Sequence, residues 1–338
     1  MKEKKEYWQS IRGICILAVI LIHSLGGFNY STGYGTEFVV LRQIINFAVA
    51  TFVFMAGYFV NVDALSDKEF SYKHWIIYQG GRLCIPFMIW SLLYSGLELL
   101  KIVHSGNEIH WFGFVYRFIV GKSATPFYYI VVLMQLTMMT PWLVKTVKQN
   151  GVISRILWLV TSLYLMYLYA WNYIVGISPR LYETLFPAWF VFYYLGIHVR
   201  CGWKLKCNGY AAAGALALSC VEAVGLRAVG FDIGFYTSQI TVGSFLYSVT
   251  IIGWLLKKNE NNRSGCHLLS KIGDCSYGIF YIHMAVLMIV GRIIECENWY
   301  AYWALRFVLT SFISYIVVHL AQMTLKNHKK LLRYIGFV

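Results

Sequence analysis

Stretches of roughly 20 mostly apolar residues recur along the whole chain, separated by short polar connections. A helix of that length crosses the hydrocarbon core of a bilayer with all its backbone hydrogen bonds made internally. A composition of 59% hydrophobic and 13% charged residues also excludes a soluble globular protein. We therefore predict an all-α fold, a polytopic membrane helical bundle that forms a single domain over residues 1–338.

The apolar pattern predicts about ten transmembrane helices, with both termini cytoplasmic. The first includes residues 12–24, and we expect it to be retained because no A-x-A-like cleavage site follows it. Gly57 in the second, and the Ala and Gly residues of the seventh, predict close helix packing. The nine later helices are expected at about 38–60, 75–100, 126–144, 154–176, 184–199, 209–226, 236–256, 274–294 and 301–323.

The net charge is +14, and the distribution of the basic residues agrees with this topology. Of the 29 lysines and arginines, 21 fall on the cytoplasmic side, and eight fall on the outer side: Arg42, Lys101, Arg117, Lys122, Arg180, Arg227, Arg292 and Arg306. Because this is the bias of the positive-inside rule, the basicity indicates membrane orientation, and we expect a bilayer but no nucleic acid as partner. The eight cysteines contain no C-x-x-C pair, so neither a disulfide framework nor a metal site is expected.

Two polar residues stand out in the first apolar helix, RGICILAVILIHS at 12–24. Arg12 and His23 are eleven residues apart, which is close to three turns, so they share one face and lie about 16 Å apart along the axis. Arg12 is compatible with an interfacial anchor, and His23 with a structural hydrogen bond to a neighbouring helix. Since a neutral imidazole accepts a proton, we favour His23 as a general base above a charged cavity mouth.

Arg82 lies about seven residues into the third span, where acidic partners are rare. A phosphate-bearing ligand from the cytoplasm is a suitable partner, because guanidinium binds phosphate through two hydrogen bonds. Gln79 precedes Arg82 by one turn and is expected to add a further hydrogen bond. Arg12, Arg82 and Gln79 are thus the candidate ligand-binding residues.

His283 lies about nine residues into the ninth span, at a depth similar to that of His23. We take both histidines as candidate catalytic residues, with a purely structural role for His283 as the alternative. Asp274 and Ser276, at the start of that helix, are expected to cap its N-terminus.

These residues form a pattern that resembles the acyltransferase-3 family of membrane acyltransferases. Arg12, ten residues and His23 resemble its first-span signature. The later landmarks occur in the family's order: FVFMAGYF at 52–59, GGRLCIPF at 80–87, PFYYIVVLMQLTMMTP at 126–141 and SYGIFYIH at 276–283. Two positions depart from the family's pattern. Gln79 stands at the first arginine of R-x-x-R, and Ala56 stands where serine is usual.

The resemblance implies transfer of an acyl group, usually acetyl, from cytoplasmic acyl-coenzyme A to a hydroxyl of an extracytoplasmic or lipid-linked sugar. It implies no permanently bound cofactor, since acyl-coenzyme A is a donor substrate, and a sugar or polysaccharide as acceptor. The expected location is a bacterial plasma membrane. His23 would deprotonate the acceptor for direct attack on the thioester, while Arg12 and Arg82 would hold the donor's phosphates.

Two other functions are compatible with the sequence. Intramembrane His and Arg residues also mark transport pathways, so a transporter or flippase for a sugar or lipid-linked glycan is the main alternative. The broken helices and inverted repeats typical of transporters are not visible, which favours the enzyme. An accessory subunit without catalytic activity is the third reading, and the sequence leaves open whether the chain forms a homo-oligomer.

Overall fold

In the computed structural model, the described residues are 2–25, 35–67, 69–260 and 265–337. They form helices and connecting loops, with no strand among them. The helices are α1 Lys2–Ser24, α2 Thr36–Ile45, α3 Phe47–Tyr58, α4 Tyr72–His104, α5 Trp111–Ile119, α6 Tyr128–Gln149, α7 Val152–Ile156, α8 Leu159–Val175, α9 Phe190–Arg200, α10 Gly209–Ala228, α11 Ile233–Tyr236, α12 Val242–Glu260, α13 His267–Asp274, α14 Ser276–Ile293, α15 Trp299–Thr324 and α16 Lys329–Tyr334.

The prediction of a polytopic helical membrane protein is confirmed. Eight helical segments of the described chain are long and apolar enough to cross a bilayer: Glu6–Ser24, Thr36–Tyr58, Tyr72–His104, Thr125–Gln149, Val152–Val175, Gly209–Ala228, Ser276–Ile293 and Trp299–Thr324. The other two expected spans are also helical: α9 has 11 residues, and α12 ends in the polar run 257–260. Side chains such as Ile174, Val221 and Phe312 face outward, as lipid contact requires.

The second span was predicted as one helix, but it divides into α2 and α3 at Asn46. The Asn46 side chain is fully buried and donates hydrogen bonds to the Ser238 carbonyl at 2.9 Å and to Gln43 Oε1 at 3.1 Å. A buried amide must find such partners, and these lie on a distant loop and on the preceding turn of helix. Asn46 keeps helical backbone angles, and its hydrogen bonds attach this point of the second span to the loop that precedes α12.

Helix α1 packs against α13, α3, α14, α15 and α2, which makes it central to the bundle. Its closest approach, to α13, takes place at two glycines. A Cβ added at Gly13 would clash with the backbone of Leu269, and one at Gly273 would clash with that of Gln9. This crossing holds the N-terminal half of α1, including Arg12, in place.

The predicted close contact at Gly57 is confirmed, because a Cβ there would clash with the backbone of Tyr193 on α9. Helix α10 packs against α12 and α2, as expected, but not through Gly214 and Gly225. A Cβ added at either of these glycines would meet nothing within 4 Å, and the close approach to α12 occurs where Ser219 meets Gly243. Small residues permit close packing, but a partner helix must also lie on that face.

Candidate active site

A cavity with a volume of about 870 Å³ lies beside α1. The residues of α1 that line it include Arg12, Ile16, Val19 and His23, which recur every three or four positions on one helical face. Lining residues extend along α1 from Arg12 to Leu25, a rise of about 20 Å. The cavity therefore runs through much of the bundle, and Arg12 and His23 both face it at different depths.

The end of the cavity near Arg12, which we call the basic end, also contains Arg82 and Arg333. The Arg12 guanidinium donates to Gln9 Oε1 at 3.2 Å, and Gln9 Nε2 donates to Asp274 Oδ1 at 2.7 Å. The guanidinium carbon also lies 5.3 Å from the ring centroid of Phe59. These contacts hold the Arg12 side chain by hydrogen bonds and ring packing while it faces the cavity.

The prediction that Asp274 and Ser276 cap the N-terminus of α14 is wrong. The N-cap position is Cys275, which has helical backbone angles and no side-chain capping bond. Asp274 instead accepts the hydrogen bond from Gln9, and Ser276 lines the cavity. Since α13 runs almost directly into α14, Cys275 continues the helical path and needs no conventional cap.

His23 in the last turn of α1 and His283 near the middle of α14 lie side by side, with ring centroids 5.4 Å apart and planes inclined by 40°. His283 is fully buried and is not among the lining residues. Its Nδ1 lies 3.0 Å from the Ile279 carbonyl oxygen, so this nitrogen carries the proton. The other nitrogen, Nε2, has no hydrogen-bond partner among the described residues. The structure thus brings the two candidate histidines together, with only His23 facing the cavity.

Gln79 is not among the residues that line the cavity, whereas Tyr78 and Arg82 both are. Positions 78 and 79 differ by about 100° around α4, so Tyr78, four residues before Arg82, shares its face. Ala56 lines the cavity with a methyl group where the family's pattern has a hydroxyl. Arg12, Arg82 and His23 are therefore in one cavity, His283 lies beside it, and Gln79 lies outside it.

The opposite end of the cavity is formed by Arg42, Glu183 and Gln239. Arg42 donates to the carbonyl oxygens of Ile22 at 3.3 Å and Thr237 at 3.2 Å, so it lies at the C-terminal end of α1. Burial raises the pKa of Glu183 and outweighs the attraction of Arg42, which lowers it. Gln239 is 7% exposed, and its Oε1 has no hydrogen-bond partner among the described residues.

Sequence reasoning missed Arg333, Arg42, Glu183 and Gln239. Arg333 and Arg42 were counted only as topology signals, and Glu183 and Gln239 lie in connections near the short α9 and α11. The available signal was weak: a carboxyl and an amide at the edges of apolar segments. The described residues contain no group of three or more His, Cys, Asp and Glu side chains arranged to hold a metal ion.

A family model described as an acyltransferase domain, the acyltransferase-3 type, matches residues 5–319 of the chain. The match covers all eight long apolar segments except the last few residues of α15. Comparison with curated proteins and with solved structures finds no match.

Proposed function

The chain belongs to the acyltransferase-3 family of membrane acyltransferases, and from this premise we propose that it moves an acyl group, acetyl in the first instance, from acyl-coenzyme A to a sugar hydroxyl. The acceptor is a lipid-linked or extracytoplasmic sugar or polysaccharide, and the membrane is a bacterial plasma membrane. The observation that carries the proposal is the cavity, which is lined by Arg12 and Arg82 at one end and by His23 about 16 Å further along α1.

The basic end suits a donor that carries phosphates. Arg12 and Arg82 both line it and are close enough for their charges to repel each other. A guanidinium binds phosphate oxygens through charge-assisted hydrogen bonds, which offset that repulsion when a polyanion is bound. With the coenzyme's phosphates held here, the extended pantetheine arm reaches toward His23, about 16 Å along α1.

His23 is the proposed general base. Its imidazole takes the proton of the acceptor hydroxyl as that oxygen attacks the thioester carbonyl carbon. A carbon–oxygen bond forms, the carbon–sulfur bond breaks, and the leaving thiolate recovers the proton from the imidazolium. His283, 5.4 Å from His23 between ring centroids, is proposed to support this histidine through its unprotonated Nε2.

The opposite end suits an uncharged, polyhydroxylated acceptor. Gln239 offers a buried acceptor oxygen, and Glu183 and Arg42 provide further hydrogen-bonding groups. Tyr128 and Trp189 also line the cavity, with rings stacked at a centroid distance of 6.1 Å. A few polar groups beside aromatic surface are characteristic of small-molecule sites, and here they would orient one sugar hydroxyl toward His23.

The test compares surface polysaccharide from cells that contain the protein with that from cells that lack it. Mass spectrometry is expected to detect a mass difference of one acyl group, and His23→Ala is expected to abolish it without changing protein level or glycan export. His319→Ala is the matched control, because His319 stacks on Tyr315 and does not line the cavity.

The observation that favours a transporter or flippase is the length of the cavity, whose lining extends from Arg12, near the middle of α1, to Leu25, just beyond its end. That function predicts that the His23→Ala variant, or loss of the protein, reduces the amount of exported glycan. Unchanged acylation in the His23→Ala variant would remove the proposed base from the mechanism.

A further inference from the structure

Arg333 brings a third guanidinium to the basic end from outside the matched part of the chain. It lies on α16, whereas the family match ends at residue 319. Arg333 is half-buried and lines the same cavity as Arg12 and Arg82. Its guanidinium carbon lies 4.5 Å from the ring centroid of Tyr78, which also lines the cavity. The C-terminal segment therefore contributes directly to this end of the cavity.

The position of α16 is fixed by buried contacts with the bundle. Trp90 Nε1 donates to the Ile335 carbonyl at 2.9 Å, and the Phe337 ring stacks on Trp90 at 6.0 Å. Gln322 Nε2 donates to the Phe337 carbonyl at 3.1 Å. Gly336 has φ +74°, and a Cβ there would lie 2.8 Å from the Tyr281 ring. Since Arg333 directly precedes this docked turn, its place at the cavity follows from specific packing.

The arginines at the basic end make no direct contact with an acidic side chain among the described residues, and Asp274 is connected to Arg12 only through Gln9. Within the described part of the chain, none of Arg12, Arg82 and Arg333 forms an ion pair with a carboxylate. Among the described lining residues the acidic one is Glu183, which lies at the opposite end. Three guanidiniums that share one partly buried mouth repel one another, and binding a polyanion relieves that repulsion.

We propose that Arg333 binds phosphate groups of the acyl donor together with Arg12 and Arg82. This inference rests on the proposed function and assigns a donor-binding role to α16. The ligand chemistry is that of a phosphate ester or diphosphate, held through paired N–H donors. Coenzyme A carries such groups, and so do anionic phospholipid headgroups.

The test measures binding of coenzyme A, and of pantetheine, which lacks the phosphates of the coenzyme, to the full-length protein in an uncharged detergent. Arg333→Gln is expected to raise the Kd for coenzyme A by about tenfold to a hundredfold at low salt. Binding of pantetheine is expected to stay unchanged, and Arg333→Lys is expected to recover part of the affinity. Lys330→Gln is the control, because it removes the same charge from an exposed position on α16 outside the cavity lining.

The outcomes separate this inference from the proposed function. If wild type and Arg333→Gln bind coenzyme A equally, while Arg12→Gln binds it weakly, the role of Arg333 is wrong and the proposed function stands. If the wild-type protein does not bind coenzyme A, both fail. Equal loss of pantetheine binding would show that Arg333 does not act on phosphate.

Vesicles of phosphatidylglycerol distinguish the second phosphate source. If Arg333→Gln weakens association with these vesicles and leaves the Kd for coenzyme A unchanged, Arg333 binds a lipid headgroup and the donor assignment is overturned. Thermal unfolding without ligand checks that each variant folds. If Arg333→Gln does not fold, the Kd of Arg333→Lys for coenzyme A is compared with that of the wild type instead.

Discussion

Substitution of Gly273 by alanine tests whether the crossing of α1 and α13 positions the basic end. An added Cβ would overlap the Gln9 carbonyl and lie 2.7 Å from its carbon, whereas ordinary van der Waals contact begins at 3.4 Å. The two backbones must therefore separate by about 0.7 Å or more, because neither neighbour is a flexible side chain. Such overpacking costs about 1–3 kcal/mol.

The matched control is Gly214→Ala on α10, where a Cβ meets nothing within 4 Å. Both substitutions gain about 0.5–1 kcal/mol from the better helix propensity of alanine. That gain cancels in the comparison, so the free energy of unfolding should be lower in Gly273→Ala than in Gly214→Ala by about 1–3 kcal/mol. Denaturant titration of the purified proteins in detergent measures this difference.

The same displacement should weaken donor binding. Asp274, the next residue, holds Gln9, and Gln9 accepts the hydrogen bond from Arg12. Moving α13 disturbs this chain of contacts, so we expect a several-fold higher KM for acetyl-coenzyme A and little change in kcat. Equal stability of the two glycine variants would refute the packing argument. Lower stability with an unchanged KM would refute the connection between α13 and Arg12.

Two further predictions concern polar groups away from the basic end. Asn46→Ala should lower the free energy of unfolding by about 1–3 kcal/mol relative to wild type, because it removes the amide's hydrogen bonds to Gln43, Ser238 and Ser244 from a buried network, whereas Asn107→Ala at an exposed loop should not. Burial raises the pKa of the Glu183 carboxyl above its value in the unfolded chain. The stabilisation linked to this shift is therefore complete at pH values below the unfolded pKa, and it is lost as the pH rises through the folded pKa. Glu183→Gln should therefore gain in melting temperature relative to wild type from acidic toward neutral pH, and a constant difference would contradict this.

Local sequence pattern was sufficient to predict much of α1. Its apolar run predicts a span, and the spacing of Arg12 and His23 predicts a common face, because both depend only on helix geometry. The same spacing argument was insufficient for Gln79. Gln79 and Tyr78 precede Arg82 by three and four residues, and around the helix axis they lie on opposite sides of Arg82. Which side faces the cavity is decided by the helices around α4, and the sequence of α4 does not contain that information.

Tertiary contacts explain the other differences. A fully buried Asn46 is accommodated within a strongly apolar segment because its amide donates to the carbonyl of Ser238, far away in sequence. In the sequence, Arg333 is one of several basic residues near the C-terminus. It lines the cavity because the Phe337 ring stacks on Trp90 and holds the C-terminal segment against the bundle. A positive charge beyond the last span satisfies the positive-inside rule whether or not it also contributes to a site.

The difference in charge between the two ends of the cavity indicates where the donor and the acceptor bind in the proposed reaction. Three arginines without ion-paired carboxylates in the described structure favour a polyanion at the basic end, whereas away from it the cavity is lined by both signs of charge, Arg42 and Arg306 with Glu183. A phosphorylated donor is therefore favoured at one end and an uncharged acceptor at the other. His23 faces the same cavity and adjoins Ile22, whose carbonyl accepts the hydrogen bond from Arg42, so in the proposed reaction its imidazole is placed to take the proton of an acceptor bound at that end.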